Sequence, residues 1–298
     1  MTTIDRTTTI GGSDVAAILG LSPWRSPLDV WREKALGEPD DRDTPAMQAG
    51  VRFEPVILGR YLTTNDRWRA TASPEPIVKG WRRASPDAIV SADGWQRLVE
   101  IKTTREPWTD GIPVYYQVQA FWYLDLPDLE EVDFPVLTWP HETRDLLGLA
   151  PDEIVERLGV TVHTMFFDAT AAAKIREQVT RFWETNVLGK VPPEPRDVAD
   201  ARRLVYATKG KTIDATTDLL ELVEQREALK AEAAAAEERL DANELAIRAK
   251  MGDAEVALGF LTGKPIVSAK VTQRAAYTAQ VKATSYRRLD ISKHWRTL

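Results

Sequence analysis

Ser85-Pro86-Asp87 and, thirteen residues on from Asp87, Glu100-Ile101-Lys102 place two carboxylates and one ammonium within a short stretch of chain. Ala88-Ile89-Val90 and Leu98-Val99-Glu100-Ile101-Lys102 alternate as strands around a polar turn from Ser91 to Gly94, which predicts a hairpin. Side chains at i and i+2 of a strand share a face, so Glu100 and Lys102 stand together. With Asp87 across the hairpin on that face, Asp87 and Glu100 become hard oxygen ligands for Mg²⁺, and Lys102 can polarise an attacking water at a bound phosphate. An exposed hairpin face with a cross-strand ion pair uses the same residue types, so these three residues alone leave both readings open.

Positioning them requires a sheet with helices laid on it. Ser13 reads as the N-cap of a helix through Leu19, ended by Gly20. Ser26-Pro27 opens a second helix, Leu28 to Leu36, which Gly37 stops, and a third from about Pro45 to Leu62 carries Glu54. Beyond the hairpin, Pro113 to Leu124 reads as an aromatic-rich helix on which Gln119 and Tyr123, one turn apart, share a side while Gln117 points elsewhere. Glu131 to Trp139 and Val160 to Phe167 read as strands, and Ala169 to Leu188 as one long helix with Ile175, Val179, Phe182 and Trp183 on its apolar stripe. Helices before a sheet that receives further helices predict an α/β or α+β layered domain.

Pro192-Pro193-Glu194-Pro195 ends that domain, giving a core over 1–195 and a C-terminal arm over 196–298. Thr216 to Met251 contains no Gly or Pro, and Leu219, Leu222, Arg226, Leu229, Ala233, Ala236, Leu240, Asn243 and Ile247 recur at steps of three and four, the spacing of a coiled-coil seam. Arg226 and Asn243 weaken a long dimer, so an arm packed against its own domain and a self-associating helix both fit. Ala254 to Leu261 and Lys264 to Thr272 predict a strand pair joined at Thr262-Gly263. The tail is basic, with Lys282, Arg287, Arg288, Lys293 and Arg296 against Asp290.

The chain has 298 residues, 43% of them hydrophobic, enough for a sizeable core with an appendage. No run of about 18 apolar residues occurs and the first residues lack the apolar stretch of a signal peptide, so a soluble, cytoplasmic protein is expected, with no membrane partner. With no cysteine and only His141, His163 and His294, a metal here would be held by oxygen, which favours Mg²⁺ with Mn²⁺ as a substitute. The formal net charge of −6 excludes a generally basic DNA coat, but not local basic contacts, since screening acts over about 8 Å at physiological salt.

The Asp87 to Lys102 spacing resembles the PD-(D/E)-x-K signature of metal-dependent nucleases. The flanking blocks narrow the likeness: Ile10-Gly11-Gly12-Ser13-Asp14-Val15 running to Leu21-Ser22-Pro23-Trp24, then Gly50-Val51-Arg52-Phe53-Glu54-Pro55, then Tyr115-Tyr116-Gln117-Val118-Gln119-Ala120. Together, over roughly residues 6 to 185, they resemble the YqaJ-type viral recombinase family of lambda-exonuclease-like nucleases. The resemblance implies a restriction-endonuclease-like core, a central mixed sheet flanked by helices. It also implies an Mg²⁺-dependent exonuclease that degrades double-stranded DNA 5′ to 3′ and leaves 3′ single strands for phage-type recombination. It assigns metal ligation to Asp87, Glu100, the Ile101 carbonyl and, often through water, Glu54. Lys102 would activate water, with Gln119 and Tyr123 in support. Arg6, seven residues before Ser13 as in the family, would join Ser13 at the 5′-phosphate, while Ser85 and Arg105 are candidates for DNA phosphates and Trp108 for a base. A single-strand annealing partner and a ring-like trimer come with the same resemblance. A DNA endonuclease of the same fold and a noncatalytic DNA-binding adaptor for a recombinase are the alternatives.

Overall fold

Helix starts and stops follow from local chemistry. The computed structural model describes residues 5–38, 44–72, 74–139, 148–204, 211–258, 260 and 263–269. The basic tail from Lys282, together with His141 and His294, lies outside them. After a 3-10 turn at Arg6–Thr8 come α1 (Gly12–Ile18), α2 (Pro27–Leu36) and α3 (Pro45–Thr64). Ser26 and Asp29 cap α2 reciprocally, Ser26 N donating to Asp29 Oδ2 at 2.8 Å and Asp29 N to Ser26 Oγ at 3.3 Å. Gly37 ends the helix in the left-handed region, φ 69°. The start of α1 corrects the sequence expectation. Asp14 accepts from Gly11 N at 2.9 Å and Asp14 N donates to Gly11 O at 3.0 Å, so Gly11 is the N-cap and Ser13 is an exposed residue of the first turn.

The strands are β1 (Arg69–Ala72), β2 (Ile77–Lys79), β3 (Arg82–Ala84), β4 (Ala88–Ala92), β5 (Trp95–Val99) and β6 (Lys102–Thr104). Then come α4 (Val114–Asp125), β7 (Glu131–Thr138), α5 (Pro151–Leu158), β8 (Thr161–Phe166), α6 (Ala169–Phe182) and α7 (Val198–Arg203). The predicted helix to Leu188 is α6 followed by a π-helical turn at Trp183–Leu188. Strands β1, β4 and β5 run antiparallel in sequence, and β8 is antiparallel to β7. Both β5 and β6 pair parallel to β7 in one register, Val99 with Asp133 and Lys102 with Val136. They are therefore one strand interrupted at Glu100 and Ile101, and the sheet is mixed. A short β2–β3 hairpin stands apart, tied to the N-terminal segment through the bridge of Ile10 with Arg82.

The period of two divides the sheet into two faces. Ala88, Val90, Val99 and Ile101 turn to one side, against Phe53, Ile57, Leu58 and Tyr61 of α3 and Ile154 and Val155 of α5. Each such large aliphatic or aromatic side chain contributes roughly 1.5–3 kcal/mol when fully buried. The alternate positions, Asp87, Glu100 and Lys102, consequently project to the other face, where α4 packs. The expected layered α/β arrangement, a central mixed sheet flanked by helices, is what the structure shows.

The chain falls into two compact units, residues 1–201 and 202–298. The second contains α8 (Thr217–Met251) and the antiparallel strands β9 (Val256–Leu258) and β10 (Pro265–Ser268). No residue of α8 is buried.

Before the sheet, a buried ionic network ties the N-terminal elements together. Arg25 bridges Asp14 and Glu33, each at 2.6 Å, and Lys34 meets Glu33 at 2.7 Å and Asp14 at 3.1 Å. Lys34 also donates to the Arg6 carbonyl at 2.6 Å. Two acids and two bases cancel, as burial requires. Burial alone would raise the Asp14 carboxyl; Lys34 and then Arg25 outweigh it and hold the group below its ordinary value of 3.8. Asp14→Asn leaves both cations under-compensated and is expected to destabilise the protein at pH 7 by about 2–4 kcal/mol, measured by urea unfolding. A depressed folded pKa contributes stability above the unfolded value of 3.8 and loses it as pH falls through the folded one. The gap between wild type and variant should therefore shrink below about pH 4.

Candidate active site

The β4–β5 register, Ala88 with Val99, sets Asp87 directly opposite Glu100. Pro86, buried in the link from β3, fixes the approach to Asp87. At the break between β5 and β6, Glu100 N keeps the sheet ladder by donating to Asp133 O at 2.9 Å, while Ile101 N donates to Asp87 Oδ2 at 2.6 Å. The interruption thus anchors one carboxylate through the backbone of the segment that carries the other. Lys102 Nζ donates to Glu100 Oε1 at 2.7 Å and lies 4.6 Å from the centre of the Tyr116 ring. Gln119 Nε2, from α4, donates to the same Oε1 at 2.5 Å. Glu100 Oε2 is buried and, among the described residues, has no hydrogen-bond partner.

That orphaned oxygen separates Glu100 from the other buried acid nearby. Asp133 is equally buried, but Tyr61 at 2.6 Å, Thr164 at 2.6 Å and Arg97 at 2.9 Å satisfy both of its oxygens. Asp133 is a satisfied structural group; Glu100 is not.

The electrostatics are those of two acids sharing too little positive charge. Burial, then a side-chain hydrogen bond with Glu54, pushes the Asp87 carboxyl up to about 7. Burial, then the charge of Asp87, pushes Glu100 up to about 7 as well. Burial by itself would lower the Lys102 ammonium, but Glu100, Tyr116 and Asp87 together hold it above its ordinary value. Lys102 in this arrangement is a protonated donor, placed to orient or polarise a water. Tyr123 is buried behind Gln119, and its phenol is raised first by that burial and then by Glu100.

The Gly-Gly pair has a steric reason. A Cβ on Gly12 would lie 2.5 Å from the Tyr123 ring and 2.8 Å from Gln119 Cγ, so only glycine lets α1 approach α4 this closely. Gln119 and Tyr123 share one helix face as their spacing predicts, and that face is the one turned to Glu100.

The remaining predicted residues are spread more widely. Glu54, half-buried on α3, reaches Asp87. Arg6 is exposed, and its carbonyl rather than its guanidinium is engaged, by Lys34. Ser13 is exposed, and among the described residues no hydrogen bond joins its side chain to Arg6. Arg105 is exposed past β6, donating to the Trp139 carbonyl at 3.2 Å. Trp108 packs among Tyr116, Phe134 and His163, as a core aromatic does, whereas Trp24 is 60% exposed with its edge on Tyr115.

Sequence reading missed Arg83. It is 7% exposed and lies on β3, donating from Nε to Thr9 Oγ1 at 3.1 Å and from NH1 to Ser85 Oγ at 2.8 Å. Its NH2 presses on the N-terminal segment, where a Cβ on Gly11 would lie 2.7 Å away. Both side-chain partners are neutral hydroxyls, an unusual setting for a buried guanidinium. The available signal was its spacing, since residues 83 and 85 share a face of an extended segment.

Residues 4–129 match the family model of the YqaJ-like viral recombinase domain. A Bacillus subtilis (strain 168) protein called uncharacterized protein YqaJ is 25% identical over 323 residues, covering 97% of this chain and 93% of that one. Among solved structures, the LHK-Exo complex with dAMP is 18% identical with a TM-score of 0.48, over 62% of this chain and 90% of that chain. The alkaline exonuclease LHK-Exo from Laribacter hongkongensis is 19% identical with a TM-score of 0.45 over the same shares, 62% and 90%. A phage related exonuclease from Haemophilus somnus 129PT is 12% identical with a TM-score of 0.45, over 61% of this chain and 96% of that chain. Over residues 4–129, which hold the Asp87, Glu100 and Lys102 cluster, the chain is similar to the YqaJ-like viral recombinase domain that its motifs resemble.

Proposed function

We propose that the chain is a divalent-metal-dependent deoxyribonuclease that hydrolyses duplex DNA from its ends in the 5′ to 3′ direction, leaving 3′ single strands for an annealing partner in recombination. The observation that carries this reading is the buried, unpartnered Oε2 of Glu100, a residue that stands opposite Asp87 across the hairpin. Leaving a charged oxygen buried without a partner is costly, and a hard divalent cation is the ligand suited to it. Among the described residues no three acidic or histidine side chains are gathered into a ready-made cage. Asp87 and Glu100 would hold the cation, with Glu54 beside Asp87 and the Ile101 carbonyl as further oxygen donors. Bound there, Mg²⁺ or Mn²⁺ supplies polarisation of a phosphoryl oxygen and a water acidic enough to attack.

The chain's own groups do the rest. Lys102, kept protonated, orients the attacking water and offsets charge gathering on the phosphate. Gln119 fixes which oxygen of Glu100 stays free, and Tyr123 holds Gln119 in place. Arg83 with Ser85 provides a cationic donor and a hydroxyl on the segment leading into Asp87, a better-supported phosphate seat than Arg6 with Ser13.

Lys102→Ala should reduce cleavage of linear duplex by at least about a thousandfold with metal present. Unchanged activity would sink the assignment. Wild type with Mg²⁺ should degrade linear duplex, leave a covalently closed circle intact and stop with EDTA. Cutting of the circle would indicate an endonuclease, and binding without cutting an adaptor. Arg83→Gln should lower the preference for 5′-phosphate over 5′-hydroxyl ends about tenfold while both ends are still digested. An unaltered ratio would remove Arg83 from the phosphate seat. Because the folded pKa of Asp87 is raised, its charge opposes folding above about pH 7 and has no effect below the unfolded value of 3.8. In metal-free protein, Asp87→Asn should therefore raise stability by about 1–2 kcal/mol at pH 8.5 and leave it unchanged near pH 4, read by thermal unfolding.

A further inference from the structure

Helix α8 spans 35 residues, about 52 Å at the usual rise, and buries none of them. Thr216 caps its start by accepting from Leu219 N at 3.3 Å, and Gly252 ends it at φ 57°. Helices gain most of their stability from packing, so a helix of this length with an uncovered apolar stripe has an unmet interaction. The stripe is the seam read from the sequence, and its large members are exposed: Leu222 by 61%, Leu229 by 64%, Leu240 by 66% and Ile247 by 40%.

The order of residues along the seam selects a partner. Turned end for end about a point between Ala233 and Ala236, the seam from Leu222 to Ile247 matches itself layer by layer, and only its first member, Leu219, falls outside the match. Leu222 meets Ile247, Arg226 meets Asn243, Leu229 meets Leu240, and Ala233 meets Ala236. Polar layers fall on polar layers, large on large, and the two alanines at the centre let the helices approach closely. The flanking positions agree in charge: between the Leu229–Leu240 and Ala233–Ala236 layers, Lys230 faces Glu237 on one side of the seam and Glu232 faces Arg239 on the other. Lys230 has only a 3.5 Å contact with Glu227 within its own helix, its side chain 61% exposed, so it is free to turn outward. A parallel pairing fails on the same positions, stacking Arg226 on Arg226 and setting Glu232 against Glu237. We propose that α8 pairs with α8 of a second copy of this chain as an antiparallel two-stranded coiled coil, an isologous contact with its two-fold axis near Ala233 and Ala236. This pairing is independent of the nuclease reading.

The full chain tests it. Sedimentation equilibrium should give the wild type twice the mass of a Leu229→Glu/Leu240→Glu variant that keeps the near-ultraviolet circular dichroism of a folded protein; equal masses overturn the pairing. Orientation is read separately, because the chain has no cysteine of its own. Leu222→Cys and Ile247→Cys chains, each kept alone under mild oxidation, should not cross-link, and a mixture of the two should give the covalent pair. Cross-linking of either variant with itself, or none in the mixture, overturns the antiparallel arrangement even if the charged variant fails to fold.

Discussion

Two carboxylates stand opposite each other on neighbouring strands, in a pocket that offers them one lysine. Burial and then a hydrogen bond with Glu54 raise Asp87 to about 7, and burial and then the charge of Asp87 raise Glu100 to about 7. Lys102 and Gln119 both engage the same oxygen of Glu100, which leaves the other oxygen without a partner. Much of the N-terminal unit can be understood as holding this unfavourable arrangement in place. The strand break at Glu100 and Ile101 turns a backbone N–H to Asp87, and the apolar face of the same hairpin, Ala88, Val90, Val99 and Ile101, is committed to α3 and α5. The pair cannot separate without taking that core apart.

The opposite face depends on close approach. Gly12 lets α1 settle against Gln119 and Tyr123, and the Asp14, Arg25, Glu33 and Lys34 network fixes α1 to α2 and to the carbonyl of Arg6. This network carries no net charge and is nearly dry, so its strength lies in geometry: removing one member leaves the others buried and unpaired. The glycines and the acid of the Gly11-Gly12-Ser13-Asp14 segment thus act on the site without lining it. Arg83, wedged beside Gly11 and bonded to Ser85, links this segment to the strand that leads into Asp87.

Much of this was legible in the sequence because it is local. Alternation at 88–90 and 98–102 gives the hairpin, and the i, i+2 rule puts Glu100 beside Lys102. The one-turn spacing of Gln119 and Tyr123 gives a shared helix face, and Ser26, Pro27 and Gly37 bound α2 by cap chemistry. The N-cap of α1 was misplaced because serine is a common cap, and only the fold shows Asp14 returning to Gly11. The helix to Leu188 changes to a π-helical turn at Trp183 for which the stripe of apolar residues gives no sign.

The sequence by itself determined the residue types and the faces they share: an oxygen-only donor set, a lysine two residues from a glutamate, and a heptad seam that matches its own reverse. Tertiary structure decided which of those faces meet and which buried groups go unsatisfied. Glu100 and Asp133 are both buried acids, yet only the packing of Tyr61, Arg97 and Thr164 around one of them makes it structural and leaves the other with a free oxygen. Periodicity is a property of neighbouring residues along the chain, whereas desolvation and hydrogen-bond satisfaction depend on atoms brought together from distant segments.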